Sequence, residues 1–149
     1  YDVAGHKAGF GSPDWLRTGD LASVDDEGYL HPVGRLTDTI NRGGEKFGPS
    51  EVEAVLRLHP AVRDVAVAGV PDAEMGQRVG AVVVTDRAVD ASDLRAFCAP
   101  RLARYKLPEW IVYADDLPYS NLGKVNRTAL AAVILDARRE GNAHDALHA

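Results

Sequence analysis

The chain has 149 residues, 46% hydrophobic and 26% charged, which suits one globular domain or a small domain with an appended segment. The formal net charge is −5, and the 17 basic residues are spread along the chain without a dense run. That distribution excludes nucleic acid as the main partner, because a phosphate backbone demands a clustered positive face, whereas a nucleotide needs only one or two placed cations.

Cys98 is the single cysteine, so an internal disulfide is excluded and a reducing, cytoplasmic setting is expected. Cys98 itself reads as a small buried apolar residue. No apolar run approaches the ~20 residues of a membrane helix. The segment 1–10 lacks the basic-then-apolar order of a signal peptide and starts without Met, which reads as a piece of a longer chain. The histidines at 6, 31, 59, 144 and 148 have no metal-ligand spacing, and no metal site is expected.

Residues 1–19 are Gly-rich and polar and read as loop. Leu21–Val24 and Tyr29–Val33 read as strands, joined by Asp25-Asp26-Glu27-Gly28 as a tight hairpin. Thr39–Arg42 and Glu45–Phe47 form a second hairpin turning at Gly43-Gly44. Pro49 opens a helix, because its missing N–H would be unpaired there anyway. Glu51 and Glu53 sit near its positive end, and Val52, Val55 and Leu56 give it an apolar stripe before Pro60 stops it. Val62–Val70 reads as a strand, Pro71-Asp72 as a loop and Val79–Val84 as a second strand. Ser92 is a plausible N-cap for a helix over 93–102, with Pro100 in its last turn. Trp110–Tyr113 is a third strand. Thr128–Arg138 is a last helix with Ala129, Leu130, Val133, Ile134 and Ala137 on one side. Residues 139–149, Ala- and His-rich from Gly141, are expected as a disordered tail. The fold class is therefore α+β: a small domain with a three-stranded central sheet flanked by helices, preceded by a β-hairpin segment.

Periodicity alone stops at that class. Four strings go further: Arg17-Thr18-Gly19-Asp20-Leu21, Gly34-Arg35-Leu36-Thr37-Asp38, Ile40-Asn41-Arg42-Gly43-Gly44-Glu45-Lys46, and Leu122-Gly123-Lys124-Val125-Asn126-Arg127. In this order, over about residues 15–127, they resemble the adenylate-forming superfamily, which includes acyl-CoA synthetases, aryl-acid AMP ligases, adenylation domains of peptide synthetases and firefly-type luciferases. One string alone would be weak; four in register are specific.

The resemblance implies roles. Residues 1–35 would end a nucleotide-binding N-terminal domain, 36–38 would be a hinge, and 39–138 a C-terminal domain that swings between two poses. Asp20 would hold the ribose hydroxyls of ATP, since a carboxylate offers two acceptors to a diol's two donors. Arg35 would sit near ribose and phosphates as a fixed fork of donors. The hinge falls on Thr37 or Asp38. Thr37 departs from the usual Asp or Lys and is stiffer, yet a hinge needs only to tolerate a φ/ψ change. Gly43, Gly44 and Glu45 would line the pantetheine channel in the thioester-forming pose. Lys124 would bridge the substrate carboxylate and the α-phosphate during adenylation, where negative charge develops. Arg104 and Lys106 match a further segment, as contacts to CoA phosphate or a carrier protein, or as a solvated face.

The implied reaction joins a carboxylic acid to ATP, with Mg2+ held mainly by the N-terminal domain of the same enzyme, and then transfers the acyl group to CoA or a carrier-protein phosphopantetheine. The phosphate loop and acyl pocket of the family are absent here, so this stretch alone is expected to be inactive. The acyl-CoA synthetase reading leads. An aryl-acid AMP ligase loading a carrier protein, or a stand-alone interaction module without catalysis, are the alternatives.

Overall fold

The computed structural model describes residues 18–120, 123–141 and 144–145. The expected N-terminal loop, apart from Thr18 and Gly19, lies outside these residues, as does Arg17 of the first motif. The chain divides into two compact units, Tyr1–Thr37 and Asp38–Ala149.

In the first unit, strand β1 (Asp20–Val24) pairs antiparallel with β2 (Leu30–Arg35). Asp25 shapes the connecting turn: its Oδ1 accepts from the Glu27 and Tyr29 amides at 3.0 and 2.9 Å, and its Oδ2 meets His31 Nε2 at 2.7 Å. The ladder continues to Arg35, which pairs with Asp20. A 3-10 turn, Leu36–Asp38, follows.

The second unit is a sheet covered on both faces. Strand β3 (Ile40–Arg42) and β4 (Glu45–Phe47) form the expected hairpin. Helix α1 (Pro49–Arg57) follows, with proline at its start. The long hairpin of β5 (Val62–Asp72) and β6 (Gly76–Thr85) comes next, then α2 (Ala91–Cys98), β7 (Trp110–Tyr113) and α3 (Arg127–Arg139). Strand β6 pairs antiparallel with β5 and parallel with β7, which gives the three central strands expected from the α+β pattern. The hairpin of β3 and β4 extends the sheet, joining β6 at Arg42 and Gly76. Residues His144–Asp145, inside the expected tail, form β8 against Trp110 and Ile111; the tail's remaining residues past Gly141 lie outside the described ones.

Alternation along β5 and β6 sends successive side chains to opposite faces. Val65, Val67, Val79, Ala81 and Val83 meet Val52 and Leu56 of α1 and Leu94 and Cys98 of α2. Ala66, Ala68, Val70, Val82 and Val84 meet Leu130 and Ile134 of α3, with Trp110. Both faces are buried, so these strands read as nearly continuous apolar runs.

Several details differ from expectation. Pro71-Asp72 ends β5 instead of forming the loop; the turn is made by Ala73–Met75, where Asp72 Oδ1 accepts from the Glu74 and Met75 amides. Helix α2 starts at Ala91 after Asp90, and Ser92 lies inside it; it stops at Cys98, with Ala99 still at helical φ −54° and ψ −41°, because Pro100 has no N–H to continue the hydrogen-bond ladder. Helix α3 is capped by Asn126, whose side chain accepts from the Ala129 amide at 3.1 Å. Its buried stripe is Leu130 and Ile134, while Val133 is 40% exposed. Glu53, expected as a dipole partner at the start of α1, is 5% exposed and serves as a buried ion instead.

Candidate functional site

Lys124 sits on a small hairpin loop between β7 and α3. Tyr119 and Val125 bridge antiparallel, Ser120 donates its amide to the Lys124 carbonyl at 2.7 Å, and Gly123 donates to the Ser120 carbonyl at 2.9 Å. The loop is pinned to the sheet where Tyr119 Oη donates to Asp64 Oδ2 at 2.5 Å. The side chain of Lys124 is exposed, and among the described residues no ion pair engages its ammonium. Its charge is presented outward.

Arg127, three residues on, is half-buried. Its Nη1 donates to Glu53 Oε1 at 2.7 Å and to the Val67 carbonyl, and its Nε meets Asp38 Oδ2 at 3.1 Å. Glu53 Oε1 also accepts from the Val67 amide at 2.9 Å. The pair thus satisfies the outward N–H and C=O of one residue on the β5 edge. Burial works against the Arg127 charge, and the carboxylates of Glu53 and Asp38 outweigh it, so the guanidinium is held above its ordinary range.

Asp20 and Arg35 are brought together across the first hairpin, with Arg35 Nε 3.1 Å from Asp20 Oδ1; both side chains are about half exposed. Asp20 donates its amide to Thr18 Oγ1 at 3.2 Å. Thr37 is exposed in the 3-10 turn, and Asp38 is tied to Arg127. Gly43 and Gly44 form the turn of the second hairpin with φ of +58° and +95°. Two successive left-handed residues are the signature of the tight hairpin turn that glycine favours. A Cβ on Gly44 would meet nothing within 4 Å, so the backbone angle, not crowding, asks for glycine there. Glu45 and Lys46 are exposed beside it. Arg104 is exposed. Lys106 is instead engaged internally: its ammonium lies 2.6 and 2.7 Å from the two Glu51 oxygens and over the Phe47 and Tyr105 rings.

The Lys124 loop and the Gly43-Gly44 turn are anchored at opposite ends of β5. The first is pinned at Asp64; the second is tied where Gly43 donates its amide to the Met75 carbonyl at 2.8 Å, just past Asp72. Eight strand residues at ~3.3 Å each separate Asp64 from Asp72 by about 26 Å. Sequence reasoning singled out both loops but missed their anchors. Asp64, Tyr119, Glu53 and Glu109 belong to no motif, and their partners lie 14 to 74 residues away.

Residues 51–124, ending on Lys124, match the family described as AMP-binding enzyme C-terminal domain. Over these residues the chain is an AMP-binding enzyme C-terminal domain. The long-chain-fatty-acid–CoA ligase FadD13 of Mycobacterium tuberculosis is 44% identical over 117 residues, covering 78% of this chain and 23% of its own length. The oxalate–CoA ligase of Arabidopsis thaliana is 41% identical over 133 residues, covering 88% of this chain and 26% of its own. Among solved structures, o-succinylbenzoate CoA synthetase from Bacillus subtilis, in complex with its acyl-adenylate intermediate, superposes with a TM-score of 0.76 at 40% identity, covering 80% of this chain and 25% of that one. The chain therefore spans about a quarter of the length of the relatives it matches. The AMP-binding C-terminal domain has no helix among its described residues long and apolar enough to cross a membrane. Nor do His, Cys, Asp and Glu side chains among them gather as metal ligands.

Proposed function

We propose that this chain is the C-terminal lobe of an AMP-forming acid–thiol ligase of acyl-CoA synthetase type, which makes an acyl-adenylate and then a CoA thioester. The observation that carries the reading is the anchoring of two loops at opposite ends of β5, at strand residues about 26 Å apart. One presents an outward ammonium, Lys124; the other presents a side-chain-free turn, Gly43-Gly44. A single site cannot receive both at once, so a lobe that serves two half-reactions would turn between them.

In the first half a carboxylate oxygen attacks the α-phosphorus of ATP and pyrophosphate leaves with its bonding electrons. Lys124 would lie between the carboxylate and the α-phosphate, where its charge offsets the charge that develops; an electrostatic contact of this kind is worth ~2.7–4 kcal/mol of barrier. In the second half a thiol attacks the acyl carbon and AMP departs. Gly43, Gly44 and Glu45 would border the path of the pantetheine arm, where the absence of side chains leaves room. Asp20 and Arg35 would address ribose and phosphate, and their mutual contact at 3.1 Å keeps acceptor and donor side by side. Magnesium would arrive with ATP and be held mainly outside this chain, by an N-terminal domain of the same enzyme. The division of the chain between Thr37 and Asp38 supports a hinge there. CoA is favoured as acceptor by the ligases this chain resembles, and the buried Cys98 accords with a reducing cytoplasm.

The test is pyrophosphate exchange by the full-length protein that carries this chain, using a long-chain fatty acid, oxalate and an aromatic acid, followed by CoA. Acid-dependent exchange and an acyl-CoA product are expected; ATP turnover indifferent to every acid would refute the reading.

A further inference from the structure

The second hairpin is anchored unevenly. At its base Ile40 is fully buried and Phe47 nearly so. Its tip stays outside the core: Asn41, Gly43, Gly44, Glu45 and Lys46 are all exposed, with the half-buried Met75 side chain beside Gly43. Among the described residues β3 joins β6 at a single pair, Arg42 with Gly76, which is too little ladder to fix a turn.

Charge supplies the missing hold. Arg42 Nε donates to Glu109 Oε1 at 2.6 Å, and Arg78 Nη1 donates to Glu109 Oε2 at 2.5 Å, so each oxygen of one carboxylate takes one guanidinium. Arg78 also reaches Asp72 Oδ2 at 2.8 Å through Nε and the exposed Glu74 at 3.3 Å through Nη2. The side chains of Arg42, Arg78 and Glu109 are 20%, 11% and 12% exposed. Water therefore screens them little, unlike the surface pairs that contribute almost nothing. Glu109 is itself fixed by its main chain, since its amide donates to the Val79 carbonyl at 2.9 Å and its carbonyl accepts from Arg95 at 3.0 Å. Two neutral bonds finish the tie, from Gly43 N–H to the Met75 carbonyl and from Asn41 N–H to Gln77 Oε1, both 2.8 Å.

We infer that Glu109 is a positioning residue for the thioester-forming half-reaction: its carboxylate, shared by Arg42 and Arg78, holds the Gly43-Gly44 turn in the orientation that the thiol arm meets. The inference rests on the ligase reading above. Removing the carboxylate charge leaves two half-buried guanidinium groups facing each other with Asp72 as their near counter-ion, and the tip of the hairpin loses its hold while its base stays in the core. The Lys124 loop, pinned at the far end of β5, is untouched.

The experiment separates the half-reactions in the full-length protein. Glu109→Gln and, independently, Arg42→Met are assayed for ATP–pyrophosphate exchange and for CoA thioester formation with the same acids. Exchange is expected to stay within about twofold of the parent while thioester formation drops ~10-fold or more, because a misplacement of about 1 Å costs on the order of 10²-fold. Hydrogen exchange at the Gly43 amide is expected to accelerate while Val65–Val70 stay protected. Equal loss in both half-reactions, no loss in either, or an unchanged Gly43 amide would overturn the inference. A parent protein that exchanges pyrophosphate with none of the acids is a separate result, read before any variant is made, and it removes the ligase reading and this inference with it.

Discussion

Lys124 and Arg127 stand three residues apart and have opposite environments. Lys124 is exposed on a pinned loop; Arg127 is half-buried and paired with Glu53 and Asp38. Sequence spacing marked both as parts of one string, and only the fold separates the outward charge from the structural one. Cys98 shows the same logic in reverse: its burial pushes the thiol up to about 11, so it is an inert core residue. Asp72 carries a pH dependence. The Met75 amide, the Arg78 guanidinium and the Glu74 amide hold its carboxyl below the ordinary 3.8. A carboxylate whose folded value is depressed stabilises fully above its unfolded value and loses that contribution as pH falls through the folded one. Acidification below pH ~4 is thus expected to loosen the turn between β5 and β6 before the core opens. Amide exchange at Glu74 and Met75, followed against Val65–Val70, checks this; parallel loss of protection in both would contradict it.

At the scale of elements, the outer side of β5 shows how an edge is closed. Val67 offers its N–H to Glu53 and its C=O to Arg127, and the Val65 carbonyl accepts from Arg57 at 2.9 Å. Charged side chains from α1 and α3 thereby cover a strand that would otherwise invite pairing with another chain. Arg127→Met strands a buried carboxylate, for which the expected destabilisation is ~3–5 kcal/mol; a chemical denaturation midpoint unchanged from the parent would refute that role. Close packing gives a second prediction. A Cβ at Gly80 would come within 2.8 Å of both Ile134 Cδ1 on α3 and Val70 Cγ2 on β5. Gly80→Ala is expected to cost ~1–3 kcal/mol through overpacking, measurable by the same denaturation. Helices and strands were legible from proline positions, apolar runs and the Gly43-Gly44 turn, because those signals are local. The cap at Asn126 is local too, its partner Ala129 lying three residues on, whereas the closure of the β5 edge and the clearance at Gly80 depend on partners distant in sequence, and no local pattern carries them.

For the whole molecule, the chain is two units divided between Thr37 and Asp38, with a two-faced sheet in the second. The α+β class and its three central strands followed from the order of elements. The added hairpin strands did not, since three-residue strands carry little periodicity. The family likeness rested on four motifs, and two of them lie on loops anchored at opposite ends of β5. The central claim is that Lys124 acts in the first step alone. The measurement is Lys124→Ala in the full-length protein, comparing pyrophosphate exchange with thioester formation from supplied acyl-adenylate. Exchange is predicted to fall on the order of 10²–10³-fold while the second step persists; exchange near the parent rate would contradict the account.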